Sequence, residues 1–176
     1  MQPISRRRAL QLGGLGLLSA VVGGTGLTWQ RASAFAAVRG GALTEPEALR
    51  SAGGDLEVEL TASRGRVRIA GAEATALSYN GGLPGPTLYL QPGDRLRIRL
   101  TNDLAEPTNL HVHGLHVSPE GNGDNVFIAV GPGETFDYDY QLPADHPPGT
   151  YWYHPHHHGM VAEQVFGGLY GAIVVG

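Results

Sequence analysis

Two stretches decide the fold class of this 176-residue chain: Asp55-Leu56-Glu57-Val58-Glu59-Leu60 and Arg95-Leu96-Arg97-Ile98-Arg99-Leu100. In both, an aliphatic residue alternates strictly with a charged residue. Successive side chains of a β-strand point to opposite faces, so this period of two predicts a strand with one face in the core and the other in water. An amphipathic helix would instead place its apolar residues three and four positions apart.

The remainder of residues 55–176 carries the same kind of signal. Val67 and Ile69 alternate with arginines, and the turn residues 91–94 (Gln-Pro-Gly-Asp) precede the arginine-rich strand. Further strands are predicted at 74–79, 87–90, 109–117, 134–142, 149–156 and 168–175. Short strands at this spacing, separated by turn residues, predict an all-β fold, an antiparallel sandwich or barrel.

The first 36 residues have the features of an export signal. Ser5-Arg6-Arg7-Arg8 precedes a glycine-broken apolar run over residues 9–28, and the small-x-small patterns at 32–34 and 34–36 are candidate cleavage sites. We predict a twin-arginine-type signal peptide over 1–36, with a single membrane anchor as the alternative. The protein is then expected to be periplasmic or secreted, and to meet a membrane only through an uncleaved signal.

Residues 37–54 are predicted to be an extension that contains one short helix. Thr44-Glu45-Pro46-Glu47 has the Thr…Glu spacing of a capping box with proline in the first turn, and Gly53-Gly54 would end the helix. The predicted helix covers residues 45–52.

Composition excludes several kinds of chemistry. The chain contains no cysteine, which excludes disulfides, zinc fingers, iron–sulfur clusters and any metal site that needs a thiolate. It also contains no lysine, which excludes Schiff-base catalysis and a Walker-type phosphate loop. The net charge of −4 argues against nucleic-acid binding.

Seven of the eight histidines fall into two groups. The first contains His111-Val112-His113, the second contains His154-Pro155-His156, and each lies on a predicted strand. Residues i and i+2 of a strand share a face, about 7 Å apart, so the two pairs predict four imidazole ligands from two strands. Imidazole suits copper, zinc, iron and nickel, and ligand type does not choose among them.

The same alternation separates the other histidines from these two pairs. His116 and His157 point to the opposite face if their strands stay regular, and His158 lies at a strand end beside Gly159. We expect these three to be supporting or surface side chains. His146, in a proline-rich loop, is expected to take no part in the same centre.

Two segments resemble the first two copper motifs of multicopper oxidases: Leu110-His111-Val112-His113-Gly114-Leu115 and Gly149-Thr150-Tyr151-Trp152-Tyr153-His154-Pro155-His156. That family includes laccases, bilirubin oxidases and periplasmic copper-tolerance oxidases. Residues 80–87, 92–94 and 167–175 are similar to other segments of the family's first domain. The resemblance spans residues 55–176 and implies a cupredoxin-like (plastocyanin-like) Greek-key β-barrel of two sheets.

The resemblance also implies roles for individual residues. His111 would bind a type 2 copper, and His113, His154 and His156 would bind the paired type 3 coppers of a trinuclear cluster. Asp124 would correspond to an acid that delivers protons for oxygen reduction; an ordinary turn aspartate is the alternative. Val112 departs from the family, because many members have tryptophan between the first two histidines.

By the same resemblance, this chain carries only half of the metal site. In the family, four further histidines and the cysteine of the type 1 copper come from the last domain. The chain is therefore expected to be the N-terminal copper-binding domain of a multicopper oxidase (a gene fragment, a truncated frame or part of a split enzyme) and to be inactive alone. The complete enzyme would oxidise a phenol, an amine or a low-valent metal ion and reduce O2 to water.

Two other functions are weighed against this one. A stand-alone exported copper-binding or copper-buffering protein would use the same four histidines without turnover. A zinc hydrolase fits less well, because catalytic zinc usually has three protein ligands and an open position. No glutamate adjoins either motif to act as a general base.

Overall fold

The two alternating stretches form neighbouring central strands of one sheet. The computed structural model describes residues 45–69 and 71–176, so the predicted signal peptide lies outside the described residues. In β2 (Asp55–Ile69) and β5 (Arg95–Asp103), the aliphatic residues are buried. The two strands pair in parallel, with Leu56 beside Leu96 and Leu60 beside Leu100. The prediction of half-buried strands is confirmed for both.

The described residues form two packed sheets and one short helix. The other elements are β1 (Ala48–Arg50), β3 (Ala72–Tyr79), β4 (Thr87–Leu90), β6 (His111–His113), β7 (Thr135–Gln141), β8 (Gly149–His154), α1 (Val161–Gly167) and β9 (Gly171–Val175). One sheet has the strand order β1-β4-β9-β8-β6 and the other has the order β3-β2-β5-β7. The inner faces of both sheets supply one apolar core, which confirms the predicted all-β sandwich.

The predicted helix over residues 45–52 is wrong, because Ala48–Arg50 form strand β1. This strand lies parallel to β4, where the Thr87 amide donates to the Glu47 carbonyl (2.7 Å) and the Ser51 amide donates to the Tyr89 carbonyl (2.9 Å). Leu49 packs against the core. Pairing with an open strand edge and burial of Leu49 therefore outweigh a local capping pattern, which is a weak signal by itself.

The expectation of purely antiparallel pairing also needs correction. Strand pairs β1–β4, β4–β9 and β2–β5 are parallel. Each of these pairs is separated in sequence by at least one strand of the opposite sheet, so the chain crosses the sandwich before it pairs again. Such crossovers allow parallel neighbours, whereas a tight hairpin enforces antiparallel ones.

The charged outer face of the β2–β5–β7 region is an array of cross-strand ion pairs. Arg95 makes a bidentate contact with Asp139 (2.8 and 2.5 Å), and Arg99 makes one with Asp137 (2.8 and 3.2 Å). The Arg95 guanidinium lowers the pKa of Asp139 by donating hydrogen bonds to it. These pairs are solvent-exposed, so water screens them and each contributes little to stability. The charged side chains keep this face in contact with water. Strands β6 and β8, which carry the histidine motifs, belong to the other sheet.

No helix within the described residues is both long and apolar enough to cross a membrane. The helix α1 has seven residues and lies directly after the second histidine motif. Its buried Gln164 accepts a hydrogen bond from the Thr108 hydroxyl (2.8 Å) and donates one to the Pro107 carbonyl (2.9 Å). Gln164 therefore links the helix that follows the second histidine motif to the segment that precedes the first motif.

Candidate metal centre

Antiparallel pairing of β6 with β8 brings the two histidine motifs together. The register places His111 opposite His154 and His113 opposite Trp152. Because opposite residues of paired strands share a face, the imidazoles of His111, His113 and His154 project from the same side of the sheet. The ladder itself thus builds the cluster, from residues more than 40 positions apart in the chain.

The imidazoles lie within reach of a shared metal. One ring nitrogen from each of His111, His113 and His154 lies within 4.8 Å of the others. The His154 Nε2 and His113 Nδ1 atoms are 3.5 Å apart. The ring of His156 lies beside this group, with its centroid 5.2 Å from that of His111 and 6.2 Å from that of His154. The structure therefore brings all four predicted ligand residues to one place.

Asp124 lies against the back of His111. Its two carboxylate oxygens are 3.0 and 2.9 Å from His111 Nδ1, and its Oδ1 also accepts the Val112 amide hydrogen (3.0 Å). If His111 Nδ1 carries the proton, it donates to the carboxylate, and Nε2 presents its lone pair to the cluster. Asp124 is thus more than a turn residue, since it orients one of the predicted ligands.

His154 is buried and is oriented by the backbone. Its Nδ1 donates to the Pro155 carbonyl (2.8 Å), which leaves Nε2 free to face the cluster. Burial lowers the pKa of His154 to about 4; the Pro155 carbonyl opposes this shift, and the neighbouring histidines add to it. His154 is therefore neutral near pH 7, the form in which imidazole binds a metal.

Trp152 lies on the same face of β8 as His154 and borders the cluster. Its ring stacks on that of His154 with centroids 3.9 Å apart, and its centroid is 5.3 Å from that of His113. Tyr153, one position further along β8, points to the opposite face and donates from its hydroxyl to the Pro86 carbonyl (2.7 Å) in the core. Tyr153 therefore packs in the core, whereas Trp152 is 37 % exposed and lies on the histidine face.

Both predicted strands that carry histidines end earlier than expected. Of the predicted strand 109–117, only His111–His113 form β6. The strand ends there because Gly114 turns the backbone with a φ of 88°. The predicted strand 149–156 ends at His154, where Pro155 has no amide hydrogen for the ladder. His156 therefore lies beyond the strand, where its amide donates to the Asn109 side chain (2.6 Å).

The other histidines have different environments. His146 is buried, and both of its ring nitrogens contact backbone groups: Nε2 accepts the His116 amide hydrogen (3.1 Å) and Nδ1 donates to the Pro147 carbonyl (3.0 Å). His116 is exposed, and its ring is tilted by 48° against that of His146, with the centroids 5.1 Å apart. His157 and His158 lie in the turn before α1, where the His157 carbonyl accepts the Met160 amide hydrogen.

Sequence reasoning missed three features of this centre. Asn109 and Thr108 stand just before the first motif and are fully buried, although both are polar. Helix α1 was not predicted because seven residues give too little periodicity to identify. Trp152 could have been found, because alternation along 152, 154 and 156 puts it on the face of the histidines.

The comparisons with known proteins agree with this geometry. A family model described as multicopper oxidase matches residues 61–176. Copper resistance protein A of Escherichia coli is 36 % identical over 121 residues, which cover 68 % of this chain and 19 % of that protein. The multicopper oxidase MmcO of Mycobacterium tuberculosis is 35 % identical over 136 residues, which cover 76 % of this chain and 26 % of that protein.

Solved structures give the same answer for the fold. A multicopper oxidase from Campylobacter jejuni, described as a metallo-oxidase, matches with a TM-score of 0.65 at 33 % identity. The match covers 76 % of this chain and 29 % of that one. This chain therefore spans between about a fifth and a third of the length of these relatives, and the cupredoxin-like fold is confirmed. Since the matched region includes both histidine motifs and most strands of both sheets, the chain belongs to the multicopper oxidase family.

Proposed function

We propose that this chain is the N-terminal copper-binding domain of a multicopper oxidase and supplies half of its trinuclear copper site. His111 would bind the type 2 copper, and His113, His154 and His156 would bind the type 3 pair. The observation that carries this proposal is the convergence of the two histidine motifs where β6 pairs with β8, with ring nitrogens of His111, His113 and His154 within 4.8 Å of one another. Family membership favours copper over the other metals that imidazole binds.

The imidazoles of this cluster suit copper ions whose coordination is completed by ligands from another domain. The group is made of imidazoles, and hydrogen bonds to Asp124 and to the Pro155 carbonyl orient two of them with Nε2 toward the cluster. Bound copper would supply one-electron redox chemistry, by which the complete enzyme would oxidise phenols, amines or metal ions and reduce O2 to water. The chain's own contribution is to hold the imidazoles aligned, with His154 neutral near pH 7, before the metal binds.

The Asp124 carboxyl group would serve as a proton donor beside the site. Its carboxylate lies within hydrogen-bond distance of His111 Nδ1, and its side chain is 14 % exposed, so exchange with water is possible. A carboxyl group at this position can accept a proton from water and pass it toward oxygen that is being reduced. Trp152, stacked on His154, would shield that imidazole from water.

The remaining ligands would come from a second cupredoxin domain that docks beside the four histidines. Phe127 and Phe166 are both 93 % exposed. Phe127 lies three residues after Asp124, and Phe166 lies in α1, which follows the second histidine motif. Each phenylalanine thus lies close in the chain to a residue of the metal centre, and a docked second domain would remove both from water.

The assignment of ligands predicts a contrast between two adjacent histidines. We expect His156→Ala to lower the copper content of the purified protein, because its ring joins the cluster beside His111. His157→Ala, a matched control one residue away in the turn before α1, should leave copper content unchanged. Elemental analysis of both variants after copper loading and desalting measures this. Equal loss from the two variants would contradict the assignment.

Export through the twin-arginine pathway is part of the same proposal. It is supported by Ser5-Arg6-Arg7-Arg8 and the apolar run that follows. We expect the double variant Arg6→Lys, Arg7→Lys to remain in the cytoplasm, because that pathway recognises the arginine pair. Unchanged export of this variant in cell fractionation would show that another route is used.

A further inference from the structure

Backbone pairing between β6 and β8 ends at His154 and does not include His156. Its register pairs His111 with His154, so its continuation would pair Leu110 with Pro155 and Asn109 with His156. Pro155 has no amide hydrogen to donate. The Leu110 amide donates instead to the Tyr138 hydroxyl (3.0 Å) of the opposite sheet. The backbone pairing that positions His154 is therefore unavailable to His156.

A side chain takes the place of the missing ladder bond. Asn109 is fully buried, and its Oδ1 accepts the His156 amide hydrogen at 2.6 Å. Its Nδ2 donates to the carbonyls of Val126 (2.9 Å) and Ile128 (3.1 Å), which fixes the orientation of the amide group. Asn109 thus connects the first histidine motif, the second histidine motif and the loop after Asp124.

We propose that Asn109 is the positioning residue for His156, holding its backbone so that its imidazole stands beside His111 as a copper ligand. The proposal rests on the function proposed above, in which His156 binds copper. An exposed imidazole on a free loop would lose conformational entropy on binding a metal, whereas an anchored backbone has lost part of it already. Partners that orient a ligand in this way typically contribute 10- to 100-fold in metal affinity.

The chain offers a matched control in Asn102, which is also fully buried. Its Nδ2 donates to the carbonyls of Glu106 (2.9 Å) and Val130 (2.8 Å), and its Oδ1 accepts the Leu104 amide hydrogen (3.0 Å). The pattern of hydrogen bonds is the same as that of Asn109, but it serves a turn instead of a histidine. Replacing either asparagine removes three hydrogen bonds made by a fully buried side chain, so a purely structural effect should be similar in both variants.

The first test needs no substitution. Hydrogen exchange of the His156 amide is measured by NMR in the copper-free full chain. We expect this amide to exchange at least about 10-fold more slowly than the amide of the exposed residue His158, because the side-chain Oδ1 of buried Asn109 accepts its hydrogen. Exchange as fast as that of His158 would overturn the proposal.

The second test compares copper binding by the full chain in four forms: unchanged, His156→Ala, Asn109→Ala and Asn102→Ala. We expect His156→Ala and Asn109→Ala to weaken Cu²⁺ binding about 10-fold or more, and Asn102→Ala to leave it near that of the unchanged chain. The electron paramagnetic resonance spectrum of the Asn109→Ala protein with Cu²⁺ should move toward that of His156→Ala. If Asn109→Ala does not fold, Asn109→Ser, whose hydroxyl is too short to reach the His156 amide, replaces it.

The outcomes separate the two proposals. If His156→Ala binds copper as the unchanged chain does, the ligand assignment of the proposed function fails. If His156→Ala weakens binding but Asn109→Ala behaves like Asn102→Ala, the ligand assignment stands and the positioning role of Asn109 is refuted.

Discussion

Loaded with copper, this chain alone will consume oxygen with a phenolic donor no faster than the same concentration of free copper. The chain has no cysteine, so it cannot build the thiolate copper site that accepts electrons from a reductant. Its four clustered histidines are half of the ligands expected for a trinuclear site, and the coordination of any bound copper would be completed by water. An oxygen electrode measures the rate directly.

Addition of a separately expressed cupredoxin domain with the complementary ligands should convert this inactive chain into an oxidase. The His111→Ala variant mixed with the same domain is the control, and it should remain inactive. Steady oxygen consumption by the chain alone, abolished by His111→Ala, would refute the half-site proposal. Copper binding without activity in any mixture would favour a copper-buffering protein.

In the assembled enzyme, Asp124→Asn should slow oxygen reduction about 100-fold or more while copper content is retained. Asp124 Oδ1 lies 3.0 Å from both His111 Nδ1 and the Val112 amide nitrogen. The single oxygen of asparagine can therefore accept both hydrogen bonds and keep His111 oriented. What asparagine cannot do is take up and release a proton, so the substitution isolates that role.

Two further variants complete this experiment. Asp124→Ala removes the orienting contact as well, so it should lose copper in addition to activity. Asp137→Asn removes a carboxylate of the exposed array that pairs with Arg99, and it should change neither. Steady-state oxygen consumption and elemental analysis provide the two readouts. Full activity of Asp124→Asn would show that Asp124 serves orientation alone.

The strands were predictable where the pattern is local and long. Alternation in residues 55–60 and 95–100 gives the inward face of each strand directly, because burial there follows the two-residue period of the backbone. The helix over residues 45–52 was predicted from a local pattern too, but there the local pattern was misleading. The actual state of these residues depends on the open edge of β4, whose residues pair with those of β1 from 39 positions further along the chain.

The candidate site likewise has features that the sequence predicts and features that depend on the fold. Which histidines share a face follows from the His-x-His spacing, so His111 with His113 could be paired from the chain alone. That the two motifs meet depends on the β6–β8 register, and Asp124 contacts His111 from 13 positions further along the chain, in the loop after β6. Asn109 carried no signal of its role, because an asparagine before a strand usually indicates a turn.

The sequence by itself therefore determined that the chain is a β-sandwich, which side chains face its core and which residue types bind its metal. Tertiary structure alone decided that β1 is a strand, that two distant histidine pairs face one another and that Asn109 holds His156. The physical reason is the range of the interactions. Alternation and ligand chemistry are properties of neighbouring residues, whereas strand partners and buried hydrogen bonds are chosen in competition with the whole chain.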